Sequence, residues 1–305
     1  MSWHVFGNIA TSFGAAANNR GENEGNITTL QKLVWQGQVH SSVSAEAIRF
    51  ALRRLLADME LGGTNRRWNE DKRVNEWKDH QFLGWTEKNG DTFIDDDLLG
   101  YMTAEAASEE GEAGSANVRR AVLEVTRAVS LTPWSGDVTF NAASPGATPS
   151  AQKKGNNPVP YGAEFHATRY QFGFAMTPER LRVRARAAKA VRALASLRNV
   201  AGNHGRFLFD FAPDSVVLRL TEDPAPRLLH CFETFDEGKT VEAPALIQRV
   251  AAGDIAPSEL VVGGALAFGT TGQELKKAKA AVFDGVKAAI EEACKRINQQ
   301  LGVEE

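Results

Sequence analysis

The chain has 305 residues, of which 43% are apolar and 24% charged, with a formal net charge of −3. That length can bury a full core as one large domain or two, the composition is ordinary for a soluble protein, and the net charge by itself gives no sign of a polyanionic partner. Two distant cysteines, Cys231 and Cys294, argue against a disulfide framework or a zinc site, and the lack of a membrane-spanning apolar run or a leader pattern gives a cytoplasmic expectation.

In chain order, Trp3 to Phe13 alternates loosely and predicts a first strand, followed by the turn-rich loop Asn18 to Asn26. Leu30 to His40 reads as one extended segment. Behind it runs Val39-His40-Ser41-Ser42-Val43-Ser44-Ala45-Glu46-Ala47-Ile48-Arg49-Phe50-Ala51-Leu52-Arg53-Arg54-Leu55-Leu56, a hydroxyl-rich strand end entering a helix. Ser44 is its expected N-cap and Glu46 suits its first turn; Ile48, Ala51, Leu52, Leu55 and Leu56 make the buried stripe, and Gly62-Gly63 closes it. Arg49 and Arg53, four apart, are expected on a shared solvent-facing side with Arg54 beside them.

Thr64 to Ala113 carries Trp68, Trp77 and Trp85 among dense charges and few aliphatic residues, so it reads as an inserted subdomain. Its tryptophans suit either base stacking or a small local core. Val118 to Thr132 is apolar again and Val138-Thr139-Phe140 is a short strand. Asn141 to Gly162, rich in Pro and Gly with Lys153 and Lys154, is too long for an ordinary connection: a loop that wraps a ligand strand, or a solvated tip. Tyr170, Phe172, Phe174 and Met176 alternate as a strand, and Thr177-Pro178-Glu179 opens a helix predicted over 178–206. Phe207, Phe209 and Phe211 alternate, with Val216-Val217-Leu218 extended. Leu260 to Phe268 is an apolar strand in which Gly263 and Gly264 mark a bulge or the close approach of a ligand, and a last helix is predicted from about Gln273 to Leu301. The order of elements predicts an α+β fold with helices packed on an antiparallel sheet.

Charge is unevenly distributed. From Pro178 to Arg206 the only acid is Glu179, against seven arginines and Lys189; from Glu87 to Glu112 acids dominate. Each run is either a solvated face or one half of a polyanion-holding asymmetry, and the basic one is open to a neighbouring subunit or nucleic acid. The basic helix after Ser44 is the best candidate site: hydroxyls, free N-terminal amides and guanidinium groups converge there, as a polyphosphate requires. Asn18, Asn19 and Arg20 either face the same ligand or serve only their turn.

The helix motif, with Gly7-Asn8-Ile9, Ala16-Ala17-Asn18-Asn19-Arg20-Gly21-Glu22 and Gly25-Asn26-Ile27-Thr28-Thr29-Leu30-Gln31-Lys32 before it, resembles the DevR-type CRISPR-associated autoregulator family. Arg169-Tyr170-Gln171-Phe172 and Val262-Gly263-Gly264-Ala265 continue the similarity more weakly. The resemblance implies the backbone subunit of a type I-B Cascade. Its fold would be an RRM-like (ferredoxin-like) palm over 1–63 and 114–305, a fingers-like insertion over 64–113 and a thumb-like hairpin over 141–162. It further implies binding of crRNA through Asn18, Asn19, Arg20, Ser42, Ser44, Arg49, Arg53, Arg54, Lys153, Lys154, Gly263 and Gly264. Copies would form a helical filament with other Cascade subunits and present the guide to target DNA, for antiviral defence or RNA-guided transposition.

No catalytic residue, metal or cofactor is expected. Asp95-Asp96-Asp97 are consecutive and do not all face one point, the six histidines are scattered singly, and no P-loop or G-x-S-x-G element appears. The rival readings are a metal-dependent RNA nuclease and a DNA-binding transcriptional regulator, the latter without a clear helix-turn-helix pattern.

Overall fold

The computed structural model describes residues 2–17, 20–86, 90–104, 116–146, 152, 157–201 and 208–304. The chain opens with β1 (His4–Thr11), β2 (Gly14–Ala16), β3 (Arg20–Glu24), β4 (Ile27–Leu30), β5 (Lys32–Trp35) and β6 (Gln38–Val43), then α1 (Ala45–Met59). Residues 64–119 supply β7 (Arg66–Asn69), β8 (Val74–Trp77), α2 (Leu83–Thr86), α3 (Ile94–Leu99), β9 (Tyr101–Ala104) and β10 (Ala116–Arg119). Next come β11 (Leu123–Val125), β12 (Ala128–Ser130), β13 (Val138–Ala143), β14 (Val159–Glu164), β15 (His166–Thr168), β16 (Tyr170–Met176), α4 (Arg186–Leu194) and β17 (Pro213–Thr221). The last part holds β18 (Glu233–Phe235), β19 (Thr240–Glu242), α5 (Pro244–Ala251), β20 (Leu260–Gly264), α6 (Thr270–Lys277), β21 (Ala281–Phe283) and α7 (Val286–Leu301).

A nine-stranded sheet organises these elements in the order β21-β20-β17-β1-β16-β12-β6-β5, with β11 also paired to β16. The expected α+β class is what the chain adopts. β1 lies between two antiparallel partners, with Ile9 opposite Phe172 on β16 and Val216 on β17. Side chains alternate across the sheet. Val5, Ile9, Phe172, Phe174, Val216 and Leu218 pack on one face with Ile48, Leu52 and Leu56 of α1, Val191 of α4 and Ile290 and Ile297 of α7. Phe6, Ala10, Val217 and Val262 pack on the other with Leu246 of α5 and Leu275 of α6. Among the described residues, no helix is long and apolar enough to cross a membrane.

Four segments depart from the sequence reading. Leu30 to His40 is the end of β4 and two further strands rather than one segment, and Gln36 (φ 49°) and Gly37 (φ 79°) turn the chain left-handed between β5 and β6. The helix expected over 178–206 is a 3₁₀ turn at Pro178–Arg180 followed by the short α4, because the Asp97 carboxylate captures the backbone N–H groups of Arg182 and Val183 at 3.0 and 3.1 Å. The final helix breaks at Lys279 (φ 68°), which frees Ala281–Phe283 to add β21 parallel to β20. In the insertion the few aliphatic residues are not idle: Ile94, Leu98 and Leu99 of α3 are fully buried in the same core as α1.

Candidate nucleic-acid interface

α1 forms where the sequence places it, and for local reasons. Ser44 Oγ accepts the Ala47 N–H at 3.2 Å, Glu46 sits in the first turn, and Ile48, Ala51, Leu52 and Leu56 are buried. Its three arginines, however, do not share one exposed side. α3 packs over the Arg49–Arg53 face: Arg49 Nη2 donates to the Leu99 carbonyl at 2.6 Å, and Arg53 Nε donates to Asp95 Oδ2 at 3.2 Å. Both are partly buried, and they tie the insertion to the helix. Arg54 alone is exposed, and it meets no partner among the described residues.

Arg54 opens into a groove of about 940 Å³ that follows α1 along Ala47, Phe50, Ala51, Arg54 and Asp58. Its opposite wall is the β7–β8 hairpin, with Arg66, Arg67 and Trp68, and its floor includes Leu197, Arg198 and Asn199. Phe50 and Trp68 are 40% and 38% exposed. Arg53, Arg54, Arg66, Arg67 and Arg198 outnumber the acids Asp58 and Glu70, so the groove is cationic with apolar faces between the charges. Such a surface suits a strand of phosphates whose bases can stack.

The other expected site residues fare unequally. Ser42 is 2% exposed, and its Oγ accepts from Arg127 Nη1 at 3.2 Å; the same nitrogen reaches Gln31 Oε1 at 3.2 Å. Arg127 is exposed and stands beside the start of α1, yet nothing around it in sequence marks it. Ser44 is committed to its cap. Arg20 pairs through its backbone with Leu30. Asn18, Asn19, Lys153 and Lys154 lie outside the described residues.

Gly263 and Gly264 are buried in regular pairing with β17 rather than at a bulge, and they admit the chain's own elements. A Cβ on Gly263 would come within 2.4 Å of Ala289 Cβ on α7, and one on Gly264 (φ +92°) within 2.0 Å of the Asp214 carbonyl. The close approach at Gly263 is that of α7, and at Gly264 that of the β17 backbone.

Part of the basic run after Pro178 is also spent internally, while Arg180 and Arg184 stay exposed. Arg186, 4% exposed, pairs with Glu60 at 2.6 Å and Asp97 at 3.0 Å; Lys189 pairs with Glu60 at 3.1 Å, and Arg192 with Glu291 at 3.1 Å. Arg198 is left to line the groove. Asp95, Asp96 and Asp97 are likewise consumed. Asp95 accepts from Asn65 N, Arg66 N and Arg53 Nε; Asp96 accepts from Asn65 Nδ2; Asp97 accepts from Arg119 Nη2 and Arg186 Nη1 besides the two backbone amides. Trp77 and Trp85 belong to a local aromatic cluster around Phe82, which stacks on Tyr101 at 3.7 Å.

One serine–histidine contact resembles a nucleophile pair. Ser41 Oγ lies 2.7 Å from His166 Nδ1 and 2.7 Å from Tyr170 Oη. All three are buried, His166 Nε2 is turned to the Pro133 carbonyl, and burial drops the His166 imidazole to about 4. The pair is a neutral hydrogen-bonded joint between β6, β15 and β16.

The sheet order, the helices on both faces and the cationic groove define a mixed α+β protein with one long anion-compatible surface. The family described as "CRISPR-associated negative auto-regulator DevR/Csa2" matches residues 9–239, and the chain belongs to that family. A relative from Myxococcus xanthus (strain DK1622), "CRISPR-associated protein Cas7/Cst2/DevR", is 60% identical over 299 residues, covering 97% of this chain and 98% of its own. Among solved structures, a chain of a "CRISPR RNA-guided surveillance complex, pre-nicking" aligns with TM-score 0.58 at 12% identity, covering 96% of this chain and 100% of that one. A chain of a "CRISPR RNA-guided surveillance complex" aligns with TM-score 0.57 at 15% identity, covering 96% and 99%. These two share its fold.

Proposed function

We propose that the chain is a non-catalytic, crRNA-binding backbone subunit of a type I Cascade effector, of the I-B branch. The observation that carries this is the arginine groove along α1, found in a family member whose fold spans nearly the whole of chains from RNA-guided surveillance complexes. Groove arginines would hold backbone phosphates and leave sequence reading to base pairing with target DNA. The strand order β17-β1-β16-β12, with α1 and α4 as the intervening helices, supports an RRM-like palm. The insertion supplies fingers. The β13–β14 hairpin, with Phe140 82% exposed, supplies a thumb.

Copies would line up head to tail along one guide in the cytoplasm, alongside other Cascade subunits, since heterologous contacts between identical chains give open filaments. Whether such a particle destroys its target or directs a transposon lies with its partners. The non-catalytic reading is supported by the engagement of Asp95, Asp96, Asp97, Ser41 and His166 in internal hydrogen bonds. The test is to purify the chain from cells carrying its CRISPR array and to characterise the RNA that accompanies it. The native chain should carry a discrete repeat-derived RNA in a particle much heavier than one copy. Arg54→Glu with Arg67→Glu and Arg198→Glu should keep the fold by circular dichroism and lose that RNA. Undiminished RNA on the folded triple variant would refute the groove as its seat.

A further inference from the structure

We propose that a second cavity, of about 400 Å³ between α1 and the β9–β10 ribbon, is an oxyanion site that takes a phosphate group on Arg66 and Arg119, with Arg49 and Arg53 alongside. It lies across α1 from Arg54 and is separate from the long groove, although Arg53 and Arg66 border both. The argument for it stands without the RNA-binding reading.

Four guanidinium groups line this cavity against two carboxylates, Asp95 and Asp96. The acids are already occupied. Asp95 accepts two backbone amides and Arg53, while Asp96 accepts Asn65 and is pushed up to about 7 by burial and by the charge of Asp95 beside it. Arg119 has Asp97 behind it at 2.7 Å, and Arg49 has a carbonyl. Arg66 has no carboxylate partner among the described residues; its guanidinium stands over the Trp77 ring at 5.5 Å.

Two donors are left over. The Nε–H groups of Arg66 and Arg119 are both buried and meet no acceptor among the described residues. A buried, charged donor without an acceptor is costly, and the same two side chains line the cavity, so added negative charge there would ease both. The crowding of like charge adds to this. The Arg53 guanidinium is held below its usual proton affinity by burial and also by Arg66 and Arg49, against the pull of Asp95. Water can solvate these guanidinium groups but cannot offset their charge, whereas an oxyanion does both. Trp77 and Tyr101 form aromatic wall, and Met102 and Val118, opposite each other on the ribbon and 69% and 59% exposed, line it too. A phosphate borne by a nucleotide would find apolar contact there, and a free phosphate would not use it.

The experiment is calorimetric titration of the full chain, freed of nucleic acid, with inorganic phosphate and with adenosine 5′-monophosphate in chloride buffer. Saturable binding of both is expected. Stronger binding of the monophosphate assigns a nucleotide-borne phosphate, and equal binding assigns the free ion. Arg66→Gln removes a donor and no ion pair, and should weaken both ligands about tenfold or more. Arg119→Lys keeps a cation for Asp97 but removes the guanidinium fork, and should do the same if folded. Absence of binding to the native chain at millimolar ligand, or undiminished binding by the folded Arg66→Gln variant, would overturn the site. The Arg54, Arg67, Arg198 triple variant separates the two readings. It should lose RNA and keep phosphate, so a failure of either function leaves the other to be judged alone.

Discussion

Asp97 accepts four hydrogen bonds from distant elements, and its removal tests the account of how the segment around α3 is held. Its Oδ1 accepts Arg119 Nη2 at 2.7 Å and the Arg182 N–H at 3.0 Å; its Oδ2 accepts Arg186 Nη1 at 3.0 Å and the Val183 N–H at 3.1 Å. Asp97→Ala would strip a buried guanidinium and two backbone amides of their acceptor at once. Breaking one partner of a buried ion pair costs about 3–5 kcal/mol. Arg186 keeps Glu60 at 2.6 Å, so the lower part of that range applies, about 3 kcal/mol. A chain of this size unfolds with an entropy of about 0.6 kcal/mol/K, so the melting temperature should fall by about 5 °C. Asp71→Ala, on an exposed acid, should shift it by less than about 1 °C. Differential scanning calorimetry decides the matter, with limited proteolysis to report where the chain opens. Cleavage should appear first between α3 and α4. If Asp97→Ala melts with the native chain, or if cleavage begins elsewhere, the buried network does not fasten the insertion.

Asp96 gives a pH signature. Its carboxyl is raised from 3.8 to about 7, so ionising it costs the folded state, and that cost is absent below about 4 and complete above about 7. Asp96→Asn should therefore melt higher than the native chain at pH 8, with the gap closing as pH falls towards 4; a gap independent of pH would refute the assignment. His166 works in the opposite sense, since its folded value of about 4 lies below the unfolded 6.5 and stability is lost as pH falls between them, but it is common to both proteins and cancels in the comparison. Gly264→Ala should cost more than about 2 kcal/mol, because the added methyl meets the Asp214 carbonyl at 2.0 Å in a left-handed backbone. Chemical denaturation measures this directly, and a neutral result would return Gly264 to a role in ligand approach.

Local features were legible in the sequence. The Ser44 cap, the apolar stripe of α1 and the strand from Tyr170 to Met176 follow from spacing alone, because cap and period act within a few residues. What was hidden depends on contacts between distant positions. Arg53 and Asp95 are 42 residues apart and Arg186 and Asp97 are 89 apart, so no spacing rule tells that these charges pair inside the fold. Gly263 reads the same whether a ligand or a helix approaches it, and the nearness of Ala289 on α7 is visible only in the fold. The breaks at Lys279 and before α4 are set by sheet extension and by Asp97, neither of which leaves a local mark.

The division of labour on α1 follows from the same physics. A helix turns 100° per residue, so Arg53 and Arg54 point to different neighbours although they are adjacent. Arg53 is drawn to Asp95 at 3.2 Å and becomes a fastening between helix and insertion, and Arg54 is left in the groove with its charge unspent. A charge-reversal at Arg53 would thus confuse loss of ligand with loss of structure, since Glu would face Asp95 across a partly buried contact. Arg54→Glu changes the groove and leaves the fastening alone. The pair makes a clean contrast: Arg53→Glu should lower the melting temperature, and Arg54→Glu should leave it within about 1 °C while weakening retention of RNA. If Arg54→Glu lowers the melting temperature as much as Arg53→Glu does, the two arginines share one structural role and the groove loses its central cation.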